Sequence, residues 1–277
     1  MSYIASTKSE LLEAQGSKYC PVTTLSALRT LREFPGKIAW VGTPCQIAGL
    51  RMIQEDNPVL REKIPFTIAN FCGGFRDNRE ARRLSSLCGV KFQNIKNFRY
   101  RGDGQPGFMR IETTDGECHK LPYPDYARWT GFSKLKRCRL CVDAMGELAD
   151  FSCGDAWLPR FLNTGIPWSI LMARSEAASN ILQEMKTAKS IIVEGISVDE
   201  LKRSQHDNLQ SKKNRQHARR RLFSYLKIRM PVYDGGYKNI AGGFLRELRI
   251  HCQYLVCSFL EQLRLYQFVA ALLGRYR

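Results

Sequence analysis

Residues 37–74 read KIAWVGTPCQIAGLRMIQEDNPVLREKIPFTIANFCGG, and the order of elements in that stretch decides the fold class. Lys37–Gly42 is a short apolar run closed by glycine, the pattern of a buried strand. Thr43-Pro44 then supplies a helix start, with threonine as N-cap and proline in the first turn. The helix carries Gln46, Ile47, Leu50 and Ile53. Residues 65–71 (PFTIANF) read as a second strand, broken by Cys72-Gly73-Gly74, and a polar helix is predicted from about Asn78. The result is a β-α-β-α unit, and a crossover helix makes its two strands parallel.

Upstream, residues 8–17 and 21–33 read as two short helices, punctuated by Pro35-Gly36. Downstream, residues 95–122 change character. Strand-like segments alternate around Gly102-Asp103-Gly104 and Asp115-Gly116, the second a hairpin-turn dipeptide. A Tyr/Trp-rich segment, Tyr123–Phe132, precedes Cys138, Cys141 and the apolar stretch ELADFSCGDAW. Ile166–Ala173 reads as a strand, 175–189 as a helix and 190–194 as a further strand. Ser197 and Glu200 open the next helix in capping-box spacing, and from about residue 206 the chain is basic and helical. The expected fold is mixed α/β: a parallel β-α-β core, an inserted antiparallel hairpin region and a helical C-terminal tail. Its expected segments are 1–35, 36–205 and 206–277.

Of 277 residues, 44% are hydrophobic and 25% charged, which excludes disordered and collagen-like classes. No apolar run reaches the ~18 residues of a membrane span, and the first twenty residues hold no signal-peptide core. Two quantities stand out, a formal net charge of +17 and ten cysteines. The charge is concentrated: residues 201–277 hold 16 Lys/Arg against 4 Asp/Glu, densest at Lys212, Lys213, Arg215, Arg219, Arg220 and Arg221. No recognised nucleic-acid module surrounds that run, so it reads as a solvated basic face or a contact for an acidic partner surface, and no specific nucleic acid is expected. Cysteines without a secretion signal point to the reducing cytosol, where they bind metal or do redox chemistry more often than they form disulfides.

Parallel strands 37–42 and 65–71 would place Cys45 and Cys72 at one sheet edge, the edge at which α/β sheets bind ligands. Cys45 also falls in the first turn of a helix, where free amides and the dipole favour a thiolate. Cys138 and Cys141, the one C-x-x-C, bring the soft donors to four, which suits a [4Fe–4S] cluster. The same cysteines also read as small buried residues or as a dithiol. A zinc ribbon would want a second C-x-x-C, and Cys153 is a reserve ligand. Cys20, Cys88, Cys118, Cys252 and Cys257 have no partner spacing and read as structural. Arg99 and Arg101 could hold an anionic cofactor tail or form an exposed basic hairpin. Trp129, Phe132, Trp157 and Trp168 fit a ring-stacking surface or core, and Asp150 and Asp155 fit acid/base work or turn capping. Phe244, Leu248, Leu255, Phe259, Leu263 and Tyr266 recur at helical spacing. That helix could meet an acidic membrane or a partner helix, and folding back on the body is the expectation.

Several of these stretches together resemble one family. Gly42-Thr43-Pro44-Cys45-Gln46 with Leu50-Arg51, Asn70-Phe71-Cys72-Gly73-Gly74, Phe98-Arg99-Tyr100-Arg101 with Gly107, and above all CRLCVDAMGELADFSCGDAW from Cys138 to Trp157 are similar to motifs of the coenzyme F420 hydrogenase/dehydrogenase beta-subunit family, which includes 7-hydroxymethyl chlorophyll a reductase. The likeness runs from about residue 4 to about residue 230. It implies an iron–sulfur flavoprotein, with a [4Fe–4S] cluster on Cys45, Cys72, Cys138 and Cys141 and an FAD contacted by Thr43, Gln46, Arg99 and Arg101. Electrons would pass between that pair and a deazaflavin or other organic acceptor, in a cytoplasmic protein that could sit peripherally at a membrane surface. The likeness departs at the front: the family's stretch ahead of the part matching Tyr3–Cys20, with a Ser-Gly-Gly turn and ferredoxin-like cysteines, has no counterpart in these residues. On this reading 1–35 is the remnant of the family's N-terminal half, a redox partner or separate N-terminal subunit supplies the rest, and the alternative is a non-catalytic or truncated interaction subunit that keeps fold and cluster.

Overall fold

A computed structural model describes residues 2–32, 34–123, 125–129, 134–162, 164–233, 243–263 and 265. In chain order they form α1 (Lys8–Ala14), a 3-10 segment (Thr24–Arg32), β1 (Ala39–Gly42), α2 (Pro44–Glu55), α3 (Pro58–Lys63), β2 (Phe66–Asn70) and α4 (Asn78–Leu87). There follow β3 (Ile95–Arg99), β4 (Phe108–Thr113), β5 (Cys118–Pro122), α5 (Lys136–Leu140), β6 (Phe151–Asp155), β7 (Ser169–Ala173) and α6 (Glu176–Thr187). The chain continues through α7 (Val198–Ser204), α8 (His206–Leu209), a π-helical turn (Gln210–Asn214), α9 (Gln216–Tyr225) and α10 (Gly243–Gln262). Two compact units interleave: Met1–Tyr3, Val22–Gly73 and Cys141–Lys213 make the first, and Ile4–Pro21, Gly74–Leu140 and Asn214–Arg277 the second. The expected segments 1–35, 36–205 and 206–277 are continuous stretches, whereas both units are assembled from several.

The first unit is built on a sheet of order β1-β2-β6-β7. β1 and β2 are parallel, with Gly42 opposite Ala69, as the opening stretch predicts. β6 extends the sheet in parallel, with Cys153 opposite Asn70, and β7 closes it antiparallel. The helix between β1 and β2 begins where Thr43-Pro44 places it and turns Ile47 and Leu50, both fully buried, onto the sheet. Beyond β6, Ala156, Leu158, Phe161 and Ile170 make a core against which Trp168 packs, its ring stacked on Phe161 at 5.1 Å. The expected strand over 190–194 does not form. Ile192 is 87% exposed there: strand propensity without a neighbouring strand and a face to cover leaves a coil. The capping box that follows is present, with Ser197 N–H on Glu200 Oε2 at 2.9 Å and Glu200 N–H on Ser197 Oγ at 3.2 Å.

The second unit holds the antiparallel sheet β3-β4-β5, with the hairpin turning at Asp115-Gly116 as read from the sequence. Its core is Leu84, Val90, Tyr100, Met109, Ile111 and Tyr126. A second cluster joins Leu140 of α5 to Leu222 and Phe223 of α9.

α10 corrects the reading of the tail. It folds onto its own unit as expected, but through Gly243, Glu247 and Cys257 rather than through the apolar positions. Leu248, Leu255, Phe259 and Leu263 are exposed, and Tyr266 lies outside the described residues. The reason is an ion pair. Glu247, fully buried, accepts from Arg219 Nε at 2.8 Å and Nη2 at 3.1 Å, so the side of α10 that carries it must face α9. The dense basic run is solvated only in part: Lys212 and Arg219 are buried, Lys213, Arg215 and Arg220 are partly exposed, and Arg221 is exposed.

Candidate functional site

The C-terminal edge of β1 and β2 assembles the motif residues of the first unit. Because the strands are parallel neighbours, the chain leaves both at the same edge. Cys45 follows β1 by three residues in the first turn of α2, and Cys72 follows β2 by two. Thr43 Oγ1 stands 3.5 Å from Cys45 Sγ, and Gln46 Oε1 accepts from Thr43 N–H at 2.8 Å. Cys72 N–H donates to Ala144 O at 2.9 Å, tying that strand end to the loop that follows Cys141.

That loop, residues 141–150, is held by its own acids. The Asp143 carboxylate accepts from the N–H groups of Met145, Gly146 and Glu147 at 3.0, 2.8 and 2.9 Å. Gly146 adopts φ +70°, and a Cβ there would stand 2.2 Å from that of Ala69, so conformation and space both demand glycine. Asp150 closes the loop. Its Oδ2 accepts from Thr67 N–H and Thr67 Oγ1, each at 2.8 Å, and from Arg51 Nη2 at 2.9 Å. Burial alone would raise its pKa, but the hydrogen bonds from Thr67 and Ser175 and the Arg51 charge hold it below the ordinary carboxylate range. Asp150 and Arg51 therefore fasten the loop to the sheet.

Lys212 is the residue that sequence reading missed. Delivered by the π-helical turn, it is 2% exposed and donates to Asp143 O at 2.7 Å and to Cys141 Sγ at 3.4 Å. In the sequence it is one member of a basic run, and its one distinguishing signal is structural, a π turn of the kind enriched at functional sites.

Cys138 belongs to the second unit, buried in α5. Phe75 N–H donates to its Sγ at 3.4 Å, and Leu135 N–H donates to Phe75 O at 3.2 Å. Gly74 makes room for this turn: its φ is +122°, and a Cβ would fall 2.3 Å from Lys134 Cε.

No disulfide joins any of the ten cysteines. Among the described residues no three Cys, His, Asp or Glu side chains gather as ligands of a single metal ion. A four-iron cluster asks for something different, one thiolate at each corner of a cubane, and its ligands stand farther apart than the ~3.8 Å between thiolates on one zinc. The donor chemistry of Cys45, Cys72, Cys138 and Cys141 fits such a cluster. The sulfurs of Cys45, Cys138 and Cys141 have, in turn, a hydroxyl, an amide and an ammonium group beside them. Cys153 differs: burial pushes its thiol pKa up, and its Sγ lies 3.6 Å from Asn70 Oδ1 and 3.8 Å from Ala69 O. Cys88 and Cys257 are likewise raised by burial, whereas Cys118 and Cys252 are exposed and fill no core.

The residues expected to contact FAD make no shared site within either unit. Thr43 and Gln46 belong to the first, and the Gln46 side chain is occupied by the α2 cap and by Thr24 and Val22. Arg99 and Arg101 belong to the second, where Arg99 pairs in register with Arg110 and the Arg101 guanidinium lies over the Tyr123 ring at 5.1 Å. Of the four aromatics, Trp168 is core-packed, Trp157 N–H donates to Ser204 Oγ at 2.8 Å, and Phe132 and the Trp129 side chain lie outside the described residues.

Comparison with known proteins gives one family. Residues 36–199 match the model that describes the C terminus of the coenzyme F420 hydrogenase/dehydrogenase beta subunit. The coenzyme F420-dependent sulfite reductase of Methanocaldococcus jannaschii is 26% identical over 258 residues, 88% of this chain and 38% of that protein. A subunit of the F(420)H(2) dehydrogenase of Methanosarcina mazei is 29% identical over 159 residues, 55% of this chain and 43% of its own length. The chain thus spans about two fifths of the length of these two relatives. A chain of the F420-reducing [NiFe] hydrogenase complex from Methanosarcina barkeri shares the fold, with a TM-score of 0.58 at 18% identity over 82% of this chain and 76% of that one.

Proposed function

The chain belongs to the coenzyme F420 hydrogenase/dehydrogenase beta-subunit family, and on that premise we propose that it is an iron–sulfur electron-transfer subunit of an oxidoreductase. Cys45, Cys72, Cys138 and Cys141 would hold one [4Fe–4S] cluster, and the acceptor would be a deazaflavin or another organic redox carrier. A redox partner chain would exchange electrons with it. The observation that carries this reading is the placement of soft donors where an α/β sheet binds ligands: Cys45 and Cys72 leave parallel neighbouring strands at one edge. Cys138 and Cys141, the C-x-x-C, are the other two soft donors of the proposal.

A cluster on these thiolates would supply one-electron transfer. The chain's own groups set its environment. The Lys212 ammonium beside Cys141 Sγ, the Phe75 amide on Cys138 Sγ and the Thr43 hydroxyl beside Cys45 Sγ each draw electron density from a ligand sulfur and favour the reduced state. The Asp143 turn and the Asp150–Thr67–Arg51 network hold the Cys141 loop in place. The proposal requires no flavin; FAD released on denaturation would add one.

The test is anaerobic purification with metal analysis and absorption spectroscopy. About four irons per chain and a broad visible band are expected. Cys45→Ala and Cys138→Ala should each abolish the iron, and Cys257→Ala should keep it. Zinc in place of iron, no metal, or equal behaviour of the three variants would overturn the proposal.

A further inference from the structure

α10 presents its apolar side to solvent. Toward its own unit it turns Gly243, Glu247 and Cys257, with Glu247 locked on Arg219. On the opposite side Leu245 is 72% exposed and Phe259 60%, with Leu248, Leu255 and Leu263 also exposed between and beyond them. Steps of three and four residues put these side chains on one stripe, which Val256 widens. No charge falls inside it. The exposed Arg246 and Arg249 run along one border. Near the helix start the Arg221 guanidinium lies over the Phe244 ring at 5.5 Å, and Tyr225 is exposed. A surface helix of a globular protein is ordinarily the reverse, apolar inward and charged outward. An uncharged apolar patch of this length marks an interaction surface.

We propose that this face of α10 lies on an anionic lipid bilayer. A straight ridge on a single helix, anchored from behind by a buried ion pair, suits the shallow headgroup boundary, where an in-plane helix buries its apolar face. The charge beside the stripe is positive, Arg246 and Arg249 on its border and the exposed Arg221 at the helix start, which complements anionic lipid. A second copy is disfavoured by the same charge. Packed antiparallel, two such stripes would bring their arginine borders together with no carboxylate in the stripe to pair with them. The sequence beyond α10 keeps this character: LYQFVAALL over 265–273 is uncharged, and Arg275 and Arg277 follow. No helix among the described residues is long and apolar enough to cross a membrane, so the contact is one of lying on the surface.

Flotation of the full chain with phosphatidylcholine vesicles, with and without about 30% phosphatidylglycerol, tests this. The chain should float with the anionic vesicles and not with the neutral ones, and raised salt should weaken the binding. The double variant Leu248→Gln/Phe259→Gln should bind at least about tenfold more weakly. Arg246→Glu/Arg249→Glu should lose preference for anionic vesicles. All four side chains are exposed, so far-UV circular dichroism and thermal melting of both variants should match the parent chain. A chain that stays in the soluble fraction with both vesicles would overturn the proposal. So would equal binding to neutral and anionic lipid, or a solution dimer that Leu248→Gln/Phe259→Gln converts to monomer, which would assign the face to a second copy.

Discussion

Lys212 and Arg219 stand seven positions apart in one basic run, each almost fully buried, yet they are buried in opposite ways. Arg219, in the second unit, meets a full counter-ion: both Glu247 oxygens accept from it, and Arg139 O takes a third donor. Lys212, in the first unit, meets a backbone carbonyl and the Cys141 sulfur. Burying a charge costs several kcal/mol unless something offsets it. In the second unit a fixed carboxylate does so in every state of the protein. In the first, the group beside the ammonium is a thiol, and it offsets the charge only when that sulfur carries electron density, as a metal-bound thiolate does. The Arg219 arrangement belongs to the fold; the Lys212 arrangement fits a site that receives a charged guest.

The largest expected effect breaks the carboxylate side of the comparison. Glu247→Gln removes the carboxylate that the buried Arg219 and the partly buried Arg215, 3.7 Å from Glu247 Oε1, both face. The expected loss is about 3–5 kcal/mol, read as a drop in the urea midpoint. Replacing the pair together, Arg219→Met/Glu247→Leu, should recover most of it, because a neutral apolar pair has no desolvation to offset. Additive losses would mean that each residue stabilises through other contacts.

Asp150 gives an intermediate effect and a pH signature. Its folded pKa is depressed below the unfolded value of about 3.9. A depressed carboxylate contributes stability that is fully present above the unfolded pKa and is lost as pH falls through the folded one. Asp150→Asn should therefore destabilise at neutral pH by about 1–3 kcal/mol. The difference from the parent chain should shrink below about pH 4. A pH-independent difference would show that the Arg51 and Thr67 contacts act through shape alone.

The legible parts of this molecule were those set by local chemistry. Thr43-Pro44 fixes the start of α2, Asp115-Gly116 the hairpin, and Ser197 with Glu200 the start of α7, because each rule involves groups only a few residues apart. The parallel pairing of β1 and β2 followed from chain connectivity. What failed depended on distant partners. The apolar 190–194 run has no strand beside it, and α10 turned its polar side inward because Glu247 pairs with Arg219 twenty-eight positions earlier. Lys212 was illegible for the same reason: its partners, Cys141 and Asp143, lie about seventy positions away. Motif and topology nominate the four cysteines of the candidate site, but they say nothing of the groups beside the sulfurs of Cys45, Cys138 and Cys141.

Lys212→Met carries the smallest effect on stability and the sharpest test of the comparison. Methionine keeps the length of the side chain and removes a buried charge that a neutral thiol does not offset, so the metal-free chain should lose no stability, in contrast to Glu247→Gln. The loaded protein should respond differently. A positive charge beside a ligand sulfur would favour the reduced state of a bound cluster, so its removal should lower the reduction potential by on the order of 100 mV. Lys212→Arg, which keeps the charge, should restore most of that shift where Met does not. A potential titration of the three proteins decides the matter. If Lys212→Met unfolds the metal-free chain as strongly as Glu247→Gln does, the lysine is a structural ion and the two burials are alike. If it leaves both stability and potential unchanged, the contact with Cys141 has no electrostatic part in the site.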